Sequence, residues 1–299
     1  MRILIKLGGT LLDDDVLRLS LARQIAAAKG RLVVVHGGGK QMTRFLAERG
    51  IESKFVNGLR VTTPEVVDAV LKVFAGSVNH LLVSTLVAAG ADAVGLTGID
   101  AGLTEAEQLD PQLGAVGRLV RSNPRILEVL TENGFLPVVA CVAGDKNGQI
   151  FNVNADQMAV ACAVAYQSER LLFLTDVDGV RGENGLIVST LTLVQSRDLI
   201  ARGIATGGME AKLNAAADAL EHGVGEVVIA PGAARDVVPR LLAGESLGTK
   251  FIVSRAAAVN ALPTHAPTES PWACGPPKVM KIPAAITPSA QELKAHSRS

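Results

Sequence analysis

The sequence predicts an α/β fold, a three-layer αβα sandwich around a mostly parallel open sheet. Short β-branched runs alternate with helical patterns along residues 1–253. The strands are almost continuously apolar, as strands covered on both faces are. Two of the earliest strands stop abruptly in glycines, at Gly8-Gly9 and at Gly37-Gly38-Gly39, and each is followed by a helical pattern.

Residues 2–7 form the first strand. Residues 14–29 form a helix, opened by an acidic cluster and stopped by Gly30. A strand over 32–36 precedes a helix over 40–49, stopped by Gly50. Pro64 opens a long helix to residue 89. A strand follows at 93–96. Ser122-Asn123-Pro124 starts a helix that ends at Asn133 before Gly134. Residues 136–142 read as a strand, and 155–166 as a helix of small apolar residues whose neighbours pack closely. Beyond it come a strand (170–175), helices (192–202 and 208–222), a strand (226–230), a helix (236–243) and a strand (249–253). Residues 256–299, rich in Ala, Pro and Ser, read as a disordered tail, with a recruitment motif around Trp272 as the other reading.

The totals exclude several classes. With 299 residues, 48% hydrophobic and 19% charged, the chain supports two domains or one large one and is not disordered throughout. Lys+Arg and Asp+Glu both number 29, which argues against nucleic-acid binding by bulk charge but leaves room for a local cationic pocket. Cys141, Cys162 and Cys274 have no metal or disulfide spacing, so a reducing cytoplasm is expected. Lys6 and the glycines interrupt the first apolar run, so no signal peptide is expected. Residues 66–89 are broken by Asp68, Lys72, Ser77, Asn79 and His80 and read as a buried helix, not a membrane span.

No Walker loop, G-x-G-x-x-G, H-E-x-x-H, G-x-S-x-G or C-x-x-C occurs, so nucleophilic, zinc and dinucleotide chemistries lack a foundation. What is present suits anions. A strand ending in glycines lets the backbone approach a phosphate or carboxylate, and the next helix aims free N–H groups at it. Two such turns imply one site for two anionic groups. Lys6 lies in an otherwise apolar strand, which is costly unless it meets an anion or reaches the strand end. In Asn152-Val153-Asn154-Ala155-Asp156, two amides and a carboxylate open an apolar helix, and an N-cap alone accounts for one of the three. Thr175-Asp176-Val177-Asp178-Gly179-Val180 reads either as a turn or as a ligand loop at the sheet's carboxyl edge. Lys212, early in the helix after Gly207-Gly208, opposes the helix dipole, as a lysine beside an anion or in solvent would. Arg60, in Asn57-Gly58-Leu59-Arg60-Val61-Thr62, offers a two-pronged fork for a carboxylate or a surface charge. His36 reads as a structural histidine.

Taken together, IKLGGTLL, VVVHGGGKQ, NGLRVTTPE, ENGFLPVV, IFNVNADQMA, LTDVDGV and GGMEAKLNAA resemble the amino acid kinase family in order and across nearly all of residues 1–253. NGLRVT and NVNADQ resemble its branch acting on N-acylated glutamate. The resemblance implies the amino acid kinase fold, with an acceptor and dimerisation lobe (1–168) and an ATP lobe (169–255). It implies transfer of the ATP γ-phosphoryl group to the γ-carboxylate of N-acetyl-L-glutamate, in arginine biosynthesis. Lys6 and Lys212 would flank the moving group, with Asp156 orienting both. Gly8 and Gly9 would bind phosphates. Gly38, Gly39, Arg60, Asn152 and Asn154 would bind the acceptor. Asp176, Val177, Asp178, Gly179, Val180, Arg181 and Thr206 would line the nucleotide site. Mg2+ would arrive with ATP, with no dedicated protein metal site. Arginine-inhibited members carry an extra N-terminal helix that ties dimers into hexamers. Here the first strand begins at residue 2, so a homodimer on the 64–89 helix, indifferent to arginine, is expected. The alternatives are a sibling kinase using a carrier-bound aminoadipate or glutamate, carbamate or aspartate, and a non-catalytic regulator. The regulator is opposed by the presence of Lys6, Lys212 and Asp156.

Overall fold

Strand β1 (Arg2–Leu7) lies at the centre of the chain's main sheet, with all but its first residue buried. The computed structural model describes residues 1–252, so the expected tail, with Trp272 and Cys274, lies outside the described residues. After β1 come a single turn α1 (Gly9–Leu12) and α2 (Asp15–Ala27), capped by the Asp14 carboxylate accepting from Leu17 N at 2.9 Å. Strand β2 (Arg31–His36) leads to α3 (Gly39–Ala47). A hairpin of β3 (Phe55–Val56) and β4 (Leu59–Arg60) turns on Asn57 and Gly58, at φ 49° and 77°, which an Asn-Gly pair adopts readily. Thr63 caps α4 (Pro64–Val70), which widens into a π-helical stretch (Leu71–Val78) and continues as α5 (Asn79–Ala88). There follow β5 (Ala93–Thr97), β6 (Thr104–Gln108), β7 (Gly117–Ser122), α6 (Arg125–Glu132), β8 (Leu136–Ala140), β9 (Val142–Gly144), β10 (Ile150–Asn152) and α7 (Ala155–Ala165). The last third contains β11 (Arg170–Thr175), β12 (Thr190–Thr192), α8 (Leu193–Ala201), α9 (Gly207–Glu221), β13 (Glu226–Pro231), α10 (Val237–Leu242) and β14 (Thr249–Ile252).

Eight strands form one sheet in the order β12-β14-β13-β11-β1-β2-β8-β5. From β13 to β5 the strands are parallel, and β14 runs antiparallel to β13. Right-handed crossovers place α2 and α5 on one face, and α6, α7 and α9 on the other. The chain winds outward from β1 in one direction and from β11 in the other, so the winding reverses between these two neighbours. Ligands of open α/β sheets bind outside the carboxyl ends of the strands at such a point.

Two expectations change. The strand expected over 136–142 is broken at Cys141: β8 belongs to the main sheet, and β9 crosses into a second sheet ordered β10-β9-β6-β7. The bend is tied by Gly98 N donating to Val142 O (2.7 Å) and Val153 N donating to Cys141 O (3.2 Å). The long helix is continuous but not uniformly α: its wide turns run over Leu71–Val78, with Val73, Phe74 and Val78 buried. By length and composition Pro64–Ala88 could cross a membrane. Here Val66, Val70, Phe74, Val78, Leu82 and Leu86 bury its inner face in the core.

Candidate active site

Both glycine turns leave the same edge of the sheet, one beside the other, because Leu7 and His36 are in register. Gly8 N donates to Leu174 O at 3.0 Å, which ties the first turn to β11. A Cβ on Gly9 would lie 3.2 Å from Gly39 N and 3.4 Å from Gly38 N, so the two turns touch through bare backbone. Gln41 strengthens the junction by donating from Nε2 to Gly9 O at 3.2 Å. A Cβ on Gly38 would stand 2.9 Å from the Phe74 ring, so that position excludes a side chain.

Three charged groups distant in sequence converge beside these turns. The Asp156 carboxylate, buried in the first turn of α7, receives Lys6 Nζ at 2.6 Å from Oδ1 and Lys212 Nζ at 3.0 Å from Oδ2. The Lys212 contact is a hydrogen bond. The Lys6 contact is a close ion pair, and it too favours the ionised carboxyl. Burial opposes ionisation of Asp156, but the two ammonium groups outweigh it and hold the carboxyl below the usual carboxylate range. One carboxylate therefore serves two cations and leaves an excess positive charge in a mostly buried pocket, an arrangement completed by an anion.

Arg60 lies on one side of this centre and is buried, not a surface charge. Its guanidinium donates to Gly39 O (3.2 Å), Thr43 Oγ1 (2.8 Å) and Ser53 Oγ, and lies over the Phe55 ring at 4.6 Å. Among the described residues no carboxylate pairs with it. Asn152 is half-buried and donates from Nδ2 to Thr62 Oγ1 at 3.1 Å, while Thr62 in turn donates to Arg60 O at 2.8 Å. Asn154 is the N-cap of α7, its Oδ1 accepting from Asp156 N (2.8 Å) and Gln157 N (3.3 Å). The cap thus accounts for the oxygen of Asn154.

The loop after β11 is more open. Asp176, Val177 and Asp178 are exposed, whereas Gly179 and Val180 are buried and the Val180 side chain is in the core. Gly179 has φ 145°, and a Cβ there would meet Thr249 Oγ1 at 2.9 Å. Arg181 is exposed, donates to Gly185 O (2.8 Å) and lies 3.7 Å from Asp178. Asp176 accepts from Thr175 Oγ1 at 3.1 Å. Burial works against its ionisation, but the Thr175 and Thr10 hydroxyls and the Lys212 charge hold its carboxyl below the usual range. That places Asp176 nearer the lysine centre than the outer loop. Thr206 precedes α9 at its exposed N-terminus and caps it with no side-chain bond.

His36 is fully buried, and burial pushes its pKa down to about 4. Cys141 and Cys162 are buried, their thiols pushed up to about 12 by burial, so neither is a nucleophile at neutral pH. Thr43 and Ser53, which brace Arg60, carry no signal in the sequence, whereas Gln41, which braces the glycine turns, closes the quoted VVVHGGGKQ. Thr62 stands inside NGLRVT and could have been found there. Among the described residues no group of three or more His, Cys, Asp or Glu side chains could hold a metal.

The amino acid kinase family matches residues 1–231. An acetylglutamate kinase of Solibacter usitatus (strain Ellin6076) is 63% identical over 257 residues, covering 85% of this chain and 100% of that protein. One from Acidobacterium capsulatum is 42% identical over 260 residues, again covering 85% of this chain and 100% of the relative. Among solved structures, smu.665 of Streptococcus mutans UA159 has a TM-score of 0.74 at 30% identity over 85% of this chain and 99% of its own. The N-acetylglutamate synthase of Neisseria gonorrhoeae, complexed with coenzyme A and N-acetyl-glutamate, has a TM-score of 0.76 at 24% identity over 85% of this chain and 59% of its own, a likeness of fold. With the family matched across most of the described residues and relatives aligned over their whole length, the chain belongs to the amino acid kinase family.

Proposed function

We propose that the chain transfers the γ-phosphoryl group of ATP to the γ-carboxylate of N-acetyl-L-glutamate, as a cytoplasmic step of arginine biosynthesis. The observation that carries the reading is the single buried Asp156 carboxylate shared by Lys6 and Lys212 beside two abutting glycine turns. The names of the full-length relatives support it. The acceptor carboxylate is already ionised at neutral pH, so no general base is required. Phosphoryl transfer then depends on positioning and on stabilising charge. Lys6 and Lys212, each with N–H groups beyond the one turned to Asp156, neutralise the phosphoryl oxygens, and Asp156 holds the two ammonium groups apart and aimed. Gly9 supplies its N–H to the phosphates, and Gly8, its own N–H held by Leu174 O, fixes the turn that lets them approach. The unpaired Arg60 takes the acceptor's α-carboxylate, with Gly38, Gly39, Asn152 and the free amide nitrogen of Asn154 around its acyl and amide groups. Residues 176–179 and Thr206 cradle the nucleotide, whereas Val180, with its side chain in the core and its N–H and C=O bonded to Thr249 Oγ1 and Val188 N, shapes the loop from behind, and the exposed Arg181 stands at its outer edge.

Mg2+ would arrive with the nucleotide and would supply positive charge at its phosphates. Residues 1–168 act as the acceptor and dimerisation lobe and 169–255 as the nucleotide lobe, and among the described residues the main sheet runs through both. The dimer forms on the long helix, where Leu81 and Val87 are about half exposed. Light scattering at twice the chain mass is expected, and a monomer removes that assignment. Incubation with ATP, Mg2+, N-acetyl-L-glutamate and hydroxylamine should give the acyl hydroxamate. Hydroxamate formed equally from other acceptors, or none at all, refutes the reading.

A further inference from the structure

The proposed reaction leaves His36 unused, although it adjoins the second glycine turn. Its Nδ1 lies 2.9 Å from Gly37 O, and its Nε2 lies 2.9 Å from Asn79 Nδ2. A carbonyl oxygen only accepts, so Nδ1 carries the ring proton. Asn79 Nδ2 also donates to Val138 O at 2.9 Å, so the same NH2 group supplies a donor to the bare Nε2. Turning the amide over would set its oxygen against the Val138 carbonyl. The oxygen of Asn79 already lies against Gly95, where a Cβ would stand only 2.1 Å from it. The partners thus fix both the tautomer and the orientation of a buried neutral ring.

This clamp acts on the most pliable backbone in the site. Three consecutive glycines have unusually wide conformational freedom. The described residues contain no cis peptide, so fixing the Gly37 carbonyl points the Gly38 N–H in the opposite direction within the same peptide plane. The nitrogens of Gly38 and Gly39 lie against Gly9, in the crevice between the two turns. The π-helical stretch packs Phe74 and Val78 against Gly38 and delivers Asn79 directly after it. The geometry points to His36 as a positioning residue: through Nδ1–H it holds the Gly37–Gly38 peptide so that the Gly38 amide faces the acyl-amino acid. This rests on the proposal that the second glycine turn holds the acceptor.

Two substitutions separate the clamp from plain core packing. In His36→Asn, the side-chain amide nitrogen takes the place of Nδ1 and still donates to Gly37. In His36→Gln, the amide lies one carbon further out and that donor is lost. For the full chain, KM for N-acetyl-L-glutamate should stay within about threefold in the first and rise about tenfold or more in the second, with KM for ATP within about twofold in both. Packing alone lowers the melting temperature of both without splitting the two KM values, and equal acceptor KM values overturn the inference. Nitrogen-15 NMR of the unsubstituted, histidine-labelled chain judges the clamp even if neither variant folds. A protonated Nδ1 with bare Nε2 at pH 7 is expected, and the opposite tautomer or an imidazolium overturns it. Absence of turnover in the unsubstituted chain would instead remove the acceptor assignment, and the NMR result would still decide the clamp.

Discussion

The Arg60 side of the site and the Asp176–Arg181 side are built on opposite plans. On the first, polar groups hold one another around two buried members, Arg60 and Thr62: Thr43, Ser53 and Gly39 hold Arg60 from the surface side, and Thr62 links Asn152 to the Arg60 backbone. On the second, the charged side chains are exposed and bonded mostly within their own turn. A buried network has its geometry set before a ligand arrives, whereas an exposed turn takes much of its order from the ligand. Discrimination among substrates is therefore expected on the Arg60 side, and tolerance of substitution on the other. Between them lies the Lys6–Asp156–Lys212 centre, which both sides need.

The centre should give the largest effect. Lys6→Ala and Lys212→Ala are each expected to lower kcat by about 10²–10³, the cost of removing one preorganised charge stabiliser. KM for the acceptor should move far less. Steady-state kinetics with the hydroxamate readout checks this, and a kcat within threefold for Lys212→Ala would break the assignment.

Much of that centre is legible in the sequence, since the two lysines stand against their local rules and the carboxylate exceeds what a cap needs. Lys6 interrupts an apolar strand, Asp156 opens a very apolar helix, and Lys212 opposes a helix dipole. The glycine turns are legible as abrupt ends of β-branched runs. The supports are not. Ser53 and Thr43 are hydroxyls in polar segments, and their meeting at Arg60 is decided by the hairpin's fold. Strand β6 (TEAEQ) is composed largely of helix formers, and its pairing with β7, bridged by Glu107–Arg118 and Glu105–Arg121, depends on a partner several residues away. The break at Cys141 lies within one apolar run, where composition cannot mark a change of sheet. Apolar spacing also does not resolve the wide turn at 71–78, which carries Phe74 to Gly38 and Asn79 to His36.

The buried side should also be sensitive to acid. An unfolded His36 takes up its proton near 6.5, whereas the folded one does so at about 4. Between these values the unfolded chain binds the extra proton. The contribution is therefore complete above pH 6.5 and is lost as pH falls toward 4, by about 3 kcal/mol in all and about 2 kcal/mol by pH 5. Denaturant unfolding at pH 7.5 and pH 5 should show this loss, and His36→Asn should remove it. Equal losses in the two proteins would mean that other groups carry it.

Arg60→Ala sharpens the comparison on the substrate itself. Losing charge-assisted hydrogen bonds to a carboxylate should raise the acceptor KM about tenfold to a hundredfold, with kcat and KM for ATP little changed. Because Arg60 also holds the Gly39 carbonyl, Arg60→Lys should not restore the wild-type KM: a point charge lacks the planar fork that reaches three partners. Full rescue by lysine would reduce Arg60 to its charge.

The smallest effect belongs to the open side. Arg181 is exposed, and its bonds, to Gly185 O and toward Asp178, remain within its own loop. Exposed pairs of this kind contribute little, because solvent screens them and their side chains must be ordered to form them. Arg181→Ala should therefore change KM for ATP by less than about threefold and leave the melting temperature nearly unchanged. The same substitution made at 20 mM and at 500 mM salt distinguishes a screened surface charge from a phosphate ligand. A surface charge loses its small effect at high salt. An ATP KM raised tenfold or more and persisting at high salt would show that Arg181 reaches into the bound nucleotide, and that the two sides of the site are equally preorganised.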